Sequence, residues 1–191
     1  SASQSRAALL EGAGLDVLIC PADIDETVIK DECRRGDIDV ATTAARLAWG
    51  KSEKISNLLP DAFVIGADQM LDCGGEWLDK PFDMTAAAES LRLLRGQTHE
   101  LVTSVSIARA GQERWCLTDR AVLVMRDFSD EFLESYLKRI GEAALSSVGA
   151  YQLEGLGAQL FERIDGDYFA ILGLPLLPVL AYLRDEGALS A

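Results

Sequence analysis

The chain has 191 residues, a formal net charge of −13 and 49% apolar residues. This length and apolar fraction are typical of one globular domain with a real core, and they exclude a disordered chain. The acidic balance argues against a nucleic acid polymer as partner, because such binding relies on a basic surface. A few cations around one pocket can still hold a small phosphorylated ligand.

Neither a secretory signal nor an apolar run of membrane-spanning length is visible in the sequence. The cysteines, Cys20, Cys33, Cys73 and Cys116, include no CxxC pair. We therefore expect reduced, mostly buried cysteines, no membrane association and a cytoplasmic location.

The first third of the chain is predicted to contain two helices and one short strand. Ser3 is a plausible N-cap for a helix over 4–12, and a strand follows at 15–20. The segment 21–37 carries too many charges for a core element. Residues 38–58 have apolar side chains at helical spacing and are followed by a proline, which predicts a second helix.

The rest of the chain mixes strands and helices. In order, the patterns predict a buried strand (62–71), a tight turn (72–75), a returning strand (76–81) and a helix (84–96). Two long strands (99–111 and 113–128), a helix (129–141), a Gly-rich strand region (149–172) and a last helix (174–187) follow. This alternation predicts an α/β fold.

Asp68 ends a buried Val-Ile strand, where an uncompensated carboxylate is costly. Gly66 before it and the Gly-Gly turn after it favour close approach to the backbone, and Lys80 follows across that turn. We interpret Asp68 and Lys80 as functional residues, although a structural aspartate at a strand end is the plainer alternative.

Three further loci carry candidate chemistry. The opening S-A-S-Q-S-R places hydroxyls and an arginine at a helix N-terminus, which suits a phosphate but equally suits plain capping. Asp25 and Glu26 are either solvated surface or, with Asp68, ligands of a divalent cation. Lys51 lies on the helix of residues 38–58. Together these residue types suit hydrolysis of a phosphate ester or anhydride, whereas His99 is interpreted as structural.

The chain resembles the Maf family of nucleoside triphosphate pyrophosphatases, homologues of septum formation inhibitors, over nearly its whole length. The matching pieces are S-x-S-x-x-R with Leu9-Leu10, Asp25-Glu26, Arg46-Leu47-Ala48 with Lys51, Gly66-Ala67-Asp68, Gly75-Glu76 through Lys80-Pro81, Leu94-x-Gly96-x-x-His99 with Thr103, Ser129-Asp130-Glu131 with Tyr136, Gly149-Ala150-Tyr151, Glu154-Gly155 and Gly173-Leu174-Pro175.

The resemblance implies hydrolysis of a nucleoside triphosphate to the monophosphate and pyrophosphate with a divalent cation, usually Mg²⁺. It implies a single domain over 1–191 with an elongated, two-lobed α/β fold around a twisted mixed sheet, as in inosine triphosphatase-like enzymes, and a central cleft. Members of the family are often homodimers, which makes a homodimer one possible assembly. The alternative is a nucleotide-binding regulator of cell division with little catalysis.

The family pattern also assigns residue roles. Asp68, Lys51 and Lys80 would be catalytic, and Glu26 and Asp68 would bind the metal. The substrate would be bound by Ser1, Ser3, Ser5, Arg6, Gln69 and Glu154. Both lysines are expected to serve catalysis and triphosphate binding, with little effect on stability.

Two positions bear on the base. In the family, members that act on 7-methyl-GTP tend to have Gln and Glu at these positions, whereas those that act on dTTP and UTP have Thr and Gln. The resemblance therefore links Gln69 and Glu154 to 7-methyl-GTP. Against this choice, Ser5 stands where the purine-type members carry a tryptophan that could stack on the base. Weighing Gln69 and Glu154 against Ser5, we favour 7-methyl-GTP over dTTP and UTP.

Overall fold

The computed structural model describes residues 3–190. Its α-helices are α1 Gln4–Gly12, α2 Glu26–Arg35, α3 Val40–Leu58, α4 Met84–Leu94, α5 Asp130–Ile140, α6 Tyr168–Ile171 and α7 Leu176–Asp185. The strands are β1 Val64–Cys73, β2 Glu76–Leu78, β3 Thr98–Arg109, β4 Gln112–Met125 and β5 Phe161–Asp165. The predicted α/β class is confirmed.

The five strands form one sheet in the order β2-β1-β3-β4-β5. The pairing of β1 with β2 is antiparallel, with Leu71 opposite Leu78, and so is that of β4 with β5, with Leu123 opposite Ile164. Between α5 and β5 the backbone makes three 3₁₀ helices, at Gly141–Ser146, Val148–Ala150 and Leu156–Leu160.

Capping side chains fix where most helices begin. In each case a side-chain oxygen accepts a hydrogen bond from the backbone N–H three residues later, which satisfies one of the unpaired amides of the first turn. The capping residues are Ser3, Asp25, Asp39, Asp83, Ser129 and Asp167.

One early prediction is wrong, since residues 15–20 form no strand and Leu18 is 80% exposed. The charged segment 21–37 contributes little to the core, as predicted, but it contains the helix α2, whose one fully buried side chain is Cys33. Its charges suit a helix because Glu26 lies in the first turn and Arg34 and Arg35 in the last.

The predicted strand region 149–172 is also mostly wrong, since only Phe161–Asp165 is a strand. Gly149 has a φ of +77°, and an added Cβ there would lie 2.6 Å from the Tyr151 ring. The other predicted helices and strands are confirmed.

The chain divides into two compact units. The first comprises 1–69, 103–119 and 167–191, and the second 70–102 and 120–166. A central cleft within a single domain stays a prediction. Apolar side chains from α1, β1, β3 and α7 form a core of the first unit. The second unit buries, among others, Leu91, Leu123, Leu133, Tyr136 and Leu160. No helix of the described chain is long and apolar enough to cross a membrane.

Candidate active site

The first unit holds a buried ion-paired cluster centred on Lys51. Lys51 Nζ lies 2.6 Å from Asp68 Oδ1 and 2.8 Å from Glu26 Oε1. Lys51 and Asp68 are 9% and 6% exposed, whereas the Glu26 side chain is 45% exposed. The structure therefore brings together three of the residues predicted to be catalytic or metal-binding.

Helical spacing places Lys51 on the buried face of α3. It follows the buried Leu47 and Ala48 by four and three residues and precedes the buried Ile55 by four. Burial of the ammonium group makes the prediction that Lys51 matters little for stability untenable. An ion buried with its partner destabilises the fold when that partner is removed.

Gly66 allows β1 to approach α3 closely enough for this ion pair. A Cβ at position 66 would lie 2.3 Å from the Ala48 carbonyl oxygen and 2.6 Å from the Ser52 nitrogen. Because alternate residues of a strand share a face, Asp68 points to α3 as Gly66 does. The expectation of close backbone approach at Gly66 is confirmed.

Arg6 is held beside this cluster by two backbone carbonyls. Its Nε donates to the Gly173 oxygen over 2.7 Å and its Nη1 to the Ala67 oxygen over 2.9 Å. Burial lowers the pKa of the guanidinium below its usual value, and the charges of Asp68 and Glu26 act in the opposite direction. Arg6 thus contacts the residue immediately before Asp68.

The serines at the start of the chain take different positions. Ser3 caps α1 and its hydroxyl accepts from the Arg6 N–H at 3.5 Å, so plain capping describes what it does here. Ser5 is exposed on α1. Ser1 lies outside the described residues, and its role as a substrate ligand stays a prediction.

The two acidic residues of the 21–37 segment are separated by the structure. Asp25 caps α2, accepting from the Val28 N–H at 3.0 Å, which is a structural role. Glu26, the next residue, reaches Lys51.

Glu26 and Asp68 offer a divalent cation only a partial ligand set. Among the described residues, no group of three or more His, Cys, Asp or Glu side chains could hold a metal ion. The two carboxylates that share Lys51 nevertheless fit Mg²⁺, which commonly takes one or two protein carboxylates and completes its shell with substrate phosphates and water.

Gln69 follows Asp68 but is bonded elsewhere in the first unit. Its Nε2 donates to Thr103 Oγ1 at 2.9 Å and to the carbonyl oxygens of Ala170 and Ile171 at 3.0 Å each. These partners use both amide hydrogens. Any contact of Gln69 with a base would therefore run through its Oε1.

Two predicted site residues belong to the second unit. Lys80 is exposed and follows β2, and Glu154 is exposed in the turn before the last 3₁₀ helix. Their roles in catalysis and base recognition stay predictions.

His99, also in the second unit, is a buried, neutral side chain. Its Nε2 lies 2.8 Å from the Tyr151 hydroxyl, and its Nδ1 has no hydrogen-bond partner within the described part of the chain. Burial lowers the pKa of His99 from 6.5 to about 4. These features agree with its interpretation as structural.

A cavity of about 370 Å³ in the first unit is lined by Arg6 and Lys51 together with apolar side chains such as Leu10, Val17 and Phe63. The charged cluster therefore borders an accessible space.

All four cysteines are free thiols, as predicted, but only Cys33 is buried, so the expectation that most of them are buried is wrong.

Two residues of the site escaped the sequence interpretation. Gly173 accepts from Arg6, and Thr103, only 1% exposed, accepts from Gln69. The sequence identifies both only as positions that match the family pattern. A usable signal for Thr103 was the hydroxyl-rich run V-T-S-V-S inside a strand whose side chains are almost all buried, because buried hydroxyls need partners.

The α/β fold carries Arg6 and Lys51 beside Asp68 and Glu26, a set of charges that suits a hydrolase acting on phosphate anhydrides. The family model described as Maf-like protein matches residues 1–186, and the chain belongs to this family.

The curated relatives agree in length as well as sequence. The chain is similar to a nucleoside triphosphate pyrophosphatase of Granulibacter bethesdensis, with 49% identity over 100% of this chain and 96% of the relative. A protein of the same name from Paramagnetospirillum magneticum is 47% identical over 99% of this chain and 97% of the relative. A 7-methyl-GTP pyrophosphatase of Rhizobium etli is 44% identical over 99% of this chain and 95% of the relative.

Proposed function

We propose that this protein is a nucleoside triphosphate pyrophosphatase whose preferred substrate is 7-methyl-GTP. In this reaction, water attacks the α-phosphorus, a P–O bond forms, and the bond to the bridging oxygen of pyrophosphate breaks. The products are the nucleoside monophosphate and pyrophosphate. Membership of the Maf family and the names of full-length relatives support the hydrolase activity.

The single observation that best supports a catalytic site is the Lys51–Asp68 ion pair. A buried carboxylate and a buried ammonium are costly to desolvate, and their Coulomb attraction often only balances that cost. Such a pair beside an accessible cavity is a functional-site candidate.

In the proposed reaction, Asp68 either accepts the proton of the attacking water or binds the cation. Lys51 stabilises negative charge that builds up on the phosphoryl oxygens. Arg6 binds the triphosphate, with Ser1, Ser3 and Ser5 at the same end of the chain. Lys80 contributes a second ammonium group.

Glu26 and Asp68 are proposed to hold the divalent cation, most simply Mg²⁺. When bound, the cation would neutralise phosphate charge. Metal titration of Asp68→Asn separates the two roles of Asp68. Loss of a ligand raises the metal concentration needed for half-maximal activity, whereas loss of a base lowers the maximal rate and leaves that concentration unchanged.

The choice of 7-methyl-GTP rests on Glu154 and Gln69. A carboxylate can accept hydrogen bonds from the guanine N1–H and exocyclic amine, and its charge offsets the cationic methylated ring. Uracil and thymine present one ring N–H between two carbonyls, and these carbonyls would meet a carboxylate unfavourably. The name of the Rhizobium etli relative agrees with this choice.

The test measures pyrophosphate release with Mg²⁺ from 7-methyl-GTP, GTP, dTTP and UTP. Wild type is expected to have its highest kcat/KM on 7-methyl-GTP, and Glu154→Gln is expected to lose that preference. Glu162→Gln, which changes another exposed glutamate of the second unit, is the matched control. A higher kcat/KM on dTTP or UTP would contradict the substrate proposal.

Absence of turnover on every nucleotide would instead favour the nucleotide-binding regulator. Assembly into a homodimer stays a prediction of the family resemblance, which analytical ultracentrifugation of the full chain would check.

A further inference from the structure

The backbone carbonyl of Ala170, at the end of α6, accepts hydrogen bonds from three parts of the chain. It accepts from the Gly173 N–H at 2.9 Å, from Thr103 Oγ1 at 2.9 Å and from Gln69 Nε2 at 3.0 Å. Thr103 also accepts from Gln69 Nε2. The turn after α6 is thereby bonded to β1 through Gln69 and to β3 through Thr103.

The same turn presents the carbonyl that orients Arg6. Gly173 gives its N–H to Ala170 and its carbonyl oxygen to Arg6 Nε, so one residue connects the two hydrogen-bond groups. Arg6 Nη1 bonds to Ala67, two residues before Gln69 on β1. Ala67 is therefore linked to the segment 170–173 through Arg6, and Gln69 is linked to it by its own hydrogen bonds.

Gly173 has little room for another side chain here. Its φ is +104°, a conformation that L side chains rarely adopt, and an added Cβ would lie 3.3 Å from Arg6 Nε. The position of the Gly173 carbonyl depends on the hydrogen bonds that fix the turn. Thr103 makes one of these bonds, and its side chain is buried.

We propose that Thr103 is a positioning residue for Arg6. Through Ala170 and Gln69 it fixes the turn after α6, so that the carbonyls of Gly173 and Ala67 hold the guanidinium beside Asp68. Because Arg6 is proposed to bind the triphosphate, this inference rests on the proposed function. Thr103 then affects every nucleotide equally, whatever its base.

The experiment compares Thr103→Val, which keeps the shape and removes the hydroxyl, with Thr103→Ser, which keeps the hydroxyl. We expect Thr103→Val to lower kcat/KM about tenfold on 7-methyl-GTP, GTP and UTP alike, and Thr103→Ser to stay within about twofold of wild type. A loss confined to guanine nucleotides would overturn the proposal, since Thr103 would then act through base reading by Gln69.

A double-mutant cycle with Arg6→Ala tests the route of the effect. If Thr103 acts through Arg6, adding Thr103→Val to Arg6→Ala changes kcat/KM by less than about twofold. A further tenfold loss in the double variant would show independent action and overturn the inference. If Thr103→Val does not fold, Thr103→Ala replaces it in the cycle.

Binding of inorganic tripolyphosphate, measured by calorimetry, gives a readout that needs no turnover. Thr103→Val and Arg6→Ala should each weaken tripolyphosphate binding about tenfold, and the double variant should bind no more weakly than Arg6→Ala alone. If wild type hydrolyses no nucleotide but these binding effects appear, the proposed function fails and the role of Thr103 stands. Unchanged tripolyphosphate affinity in Thr103→Val, or no binding to wild type, would overturn that role.

Discussion

The two units differ in the charge state of the ionisable side chains that they bury. In the first, Lys51 and Asp68 remain a charged pair 2.6 Å apart, with Glu26 on the other side of the ammonium. In the second, His99 is buried as a neutral ring on the Tyr151 hydroxyl, and its pKa is lowered to about 4. A neutral pair with one hydrogen bond costs less to bury than a charged pair does. The costlier burial of Lys51 and Asp68 therefore supports the proposed active site.

Lys51→Ala is the most severe test of this contrast. It leaves Asp68 buried without its ion-pair partner, which is expected to cost about 3–5 kcal/mol of stability as well as activity. Urea denaturation measures the change. Lys54→Ala is the matched control, because Lys54 is an exposed lysine on the same helix, and it should cost less than about 1 kcal/mol. A wild-type midpoint for Lys51→Ala would contradict the buried pair.

Asp68→Asn should act mainly on turnover. Lys51 keeps Glu26 at 2.8 Å after this change, so the fold should tolerate it better than Lys51→Ala. We expect kcat to fall roughly a hundredfold or more, the scale of losing a positioned base or metal ligand. Circular dichroism checks folding and pyrophosphate release checks the rate. A folded variant with more than half of wild-type activity would exclude a catalytic role for Asp68.

The cluster in the first unit could be anticipated only in part from the sequence. The sequence points to Asp68 because a carboxylate follows an apolar run, although Asp68 lies within β1 and not at its end as predicted. The burial of Lys51 was also implicit in its spacing from Leu47 and Ile55, but a lysine within an apolar stripe is easily taken for an exposed one. Its two partners come from β1 and α2, and only the tertiary fold brings these elements together.

The errors in the element predictions have local causes. Residues 15–20 have strand-forming composition, but strand formation needs a neighbouring strand, and the described sheet gives them none. The sequence does not predict α2 because its apolar positions are few and its charges dominate. Asp25 as N-cap and arginines in the last turn were the available signals.

The buried, neutral His99 of the second unit predicts how the stability of the protein changes at low pH. The unfolded chain binds a proton at His99 near pH 6.5, whereas the folded protein does so only near 4. Stability from this residue is therefore complete above pH 6.5 and is lost as the pH falls towards 4. At pH 5 the loss is about 2 kcal/mol.

The measurement compares the free energy of unfolding at pH 7 and pH 5 for wild type and His99→Gln. The glutamine does not titrate, so the variant should lose about 2 kcal/mol less between the two pH values than wild type does. Tyr151→Phe is the control, because it removes the hydrogen bond and keeps the imidazole. An identical pH dependence in wild type and His99→Gln would show that His99 titrates normally in the folded protein.

Lys80 gives the smallest expected effect and the sharpest contrast with Lys51. Both lysines match the family pattern, but Lys80 is exposed and Lys51 is buried. Removing an exposed ammonium leaves no charge stranded in the core, so Lys80→Ala should change the free energy of unfolding by no more than about 0.5 kcal/mol. Turnover should fall about tenfold, because an ammonium that offsets phosphate charge in the transition state is lost. Since a surface charge is screened by salt, raising the salt concentration should narrow the rate difference between wild type and Lys80→Ala. Loss of several kcal/mol of stability with normal kinetics in the folded fraction would assign Lys80 to the fold, and the two lysines would then not differ as their burial predicts.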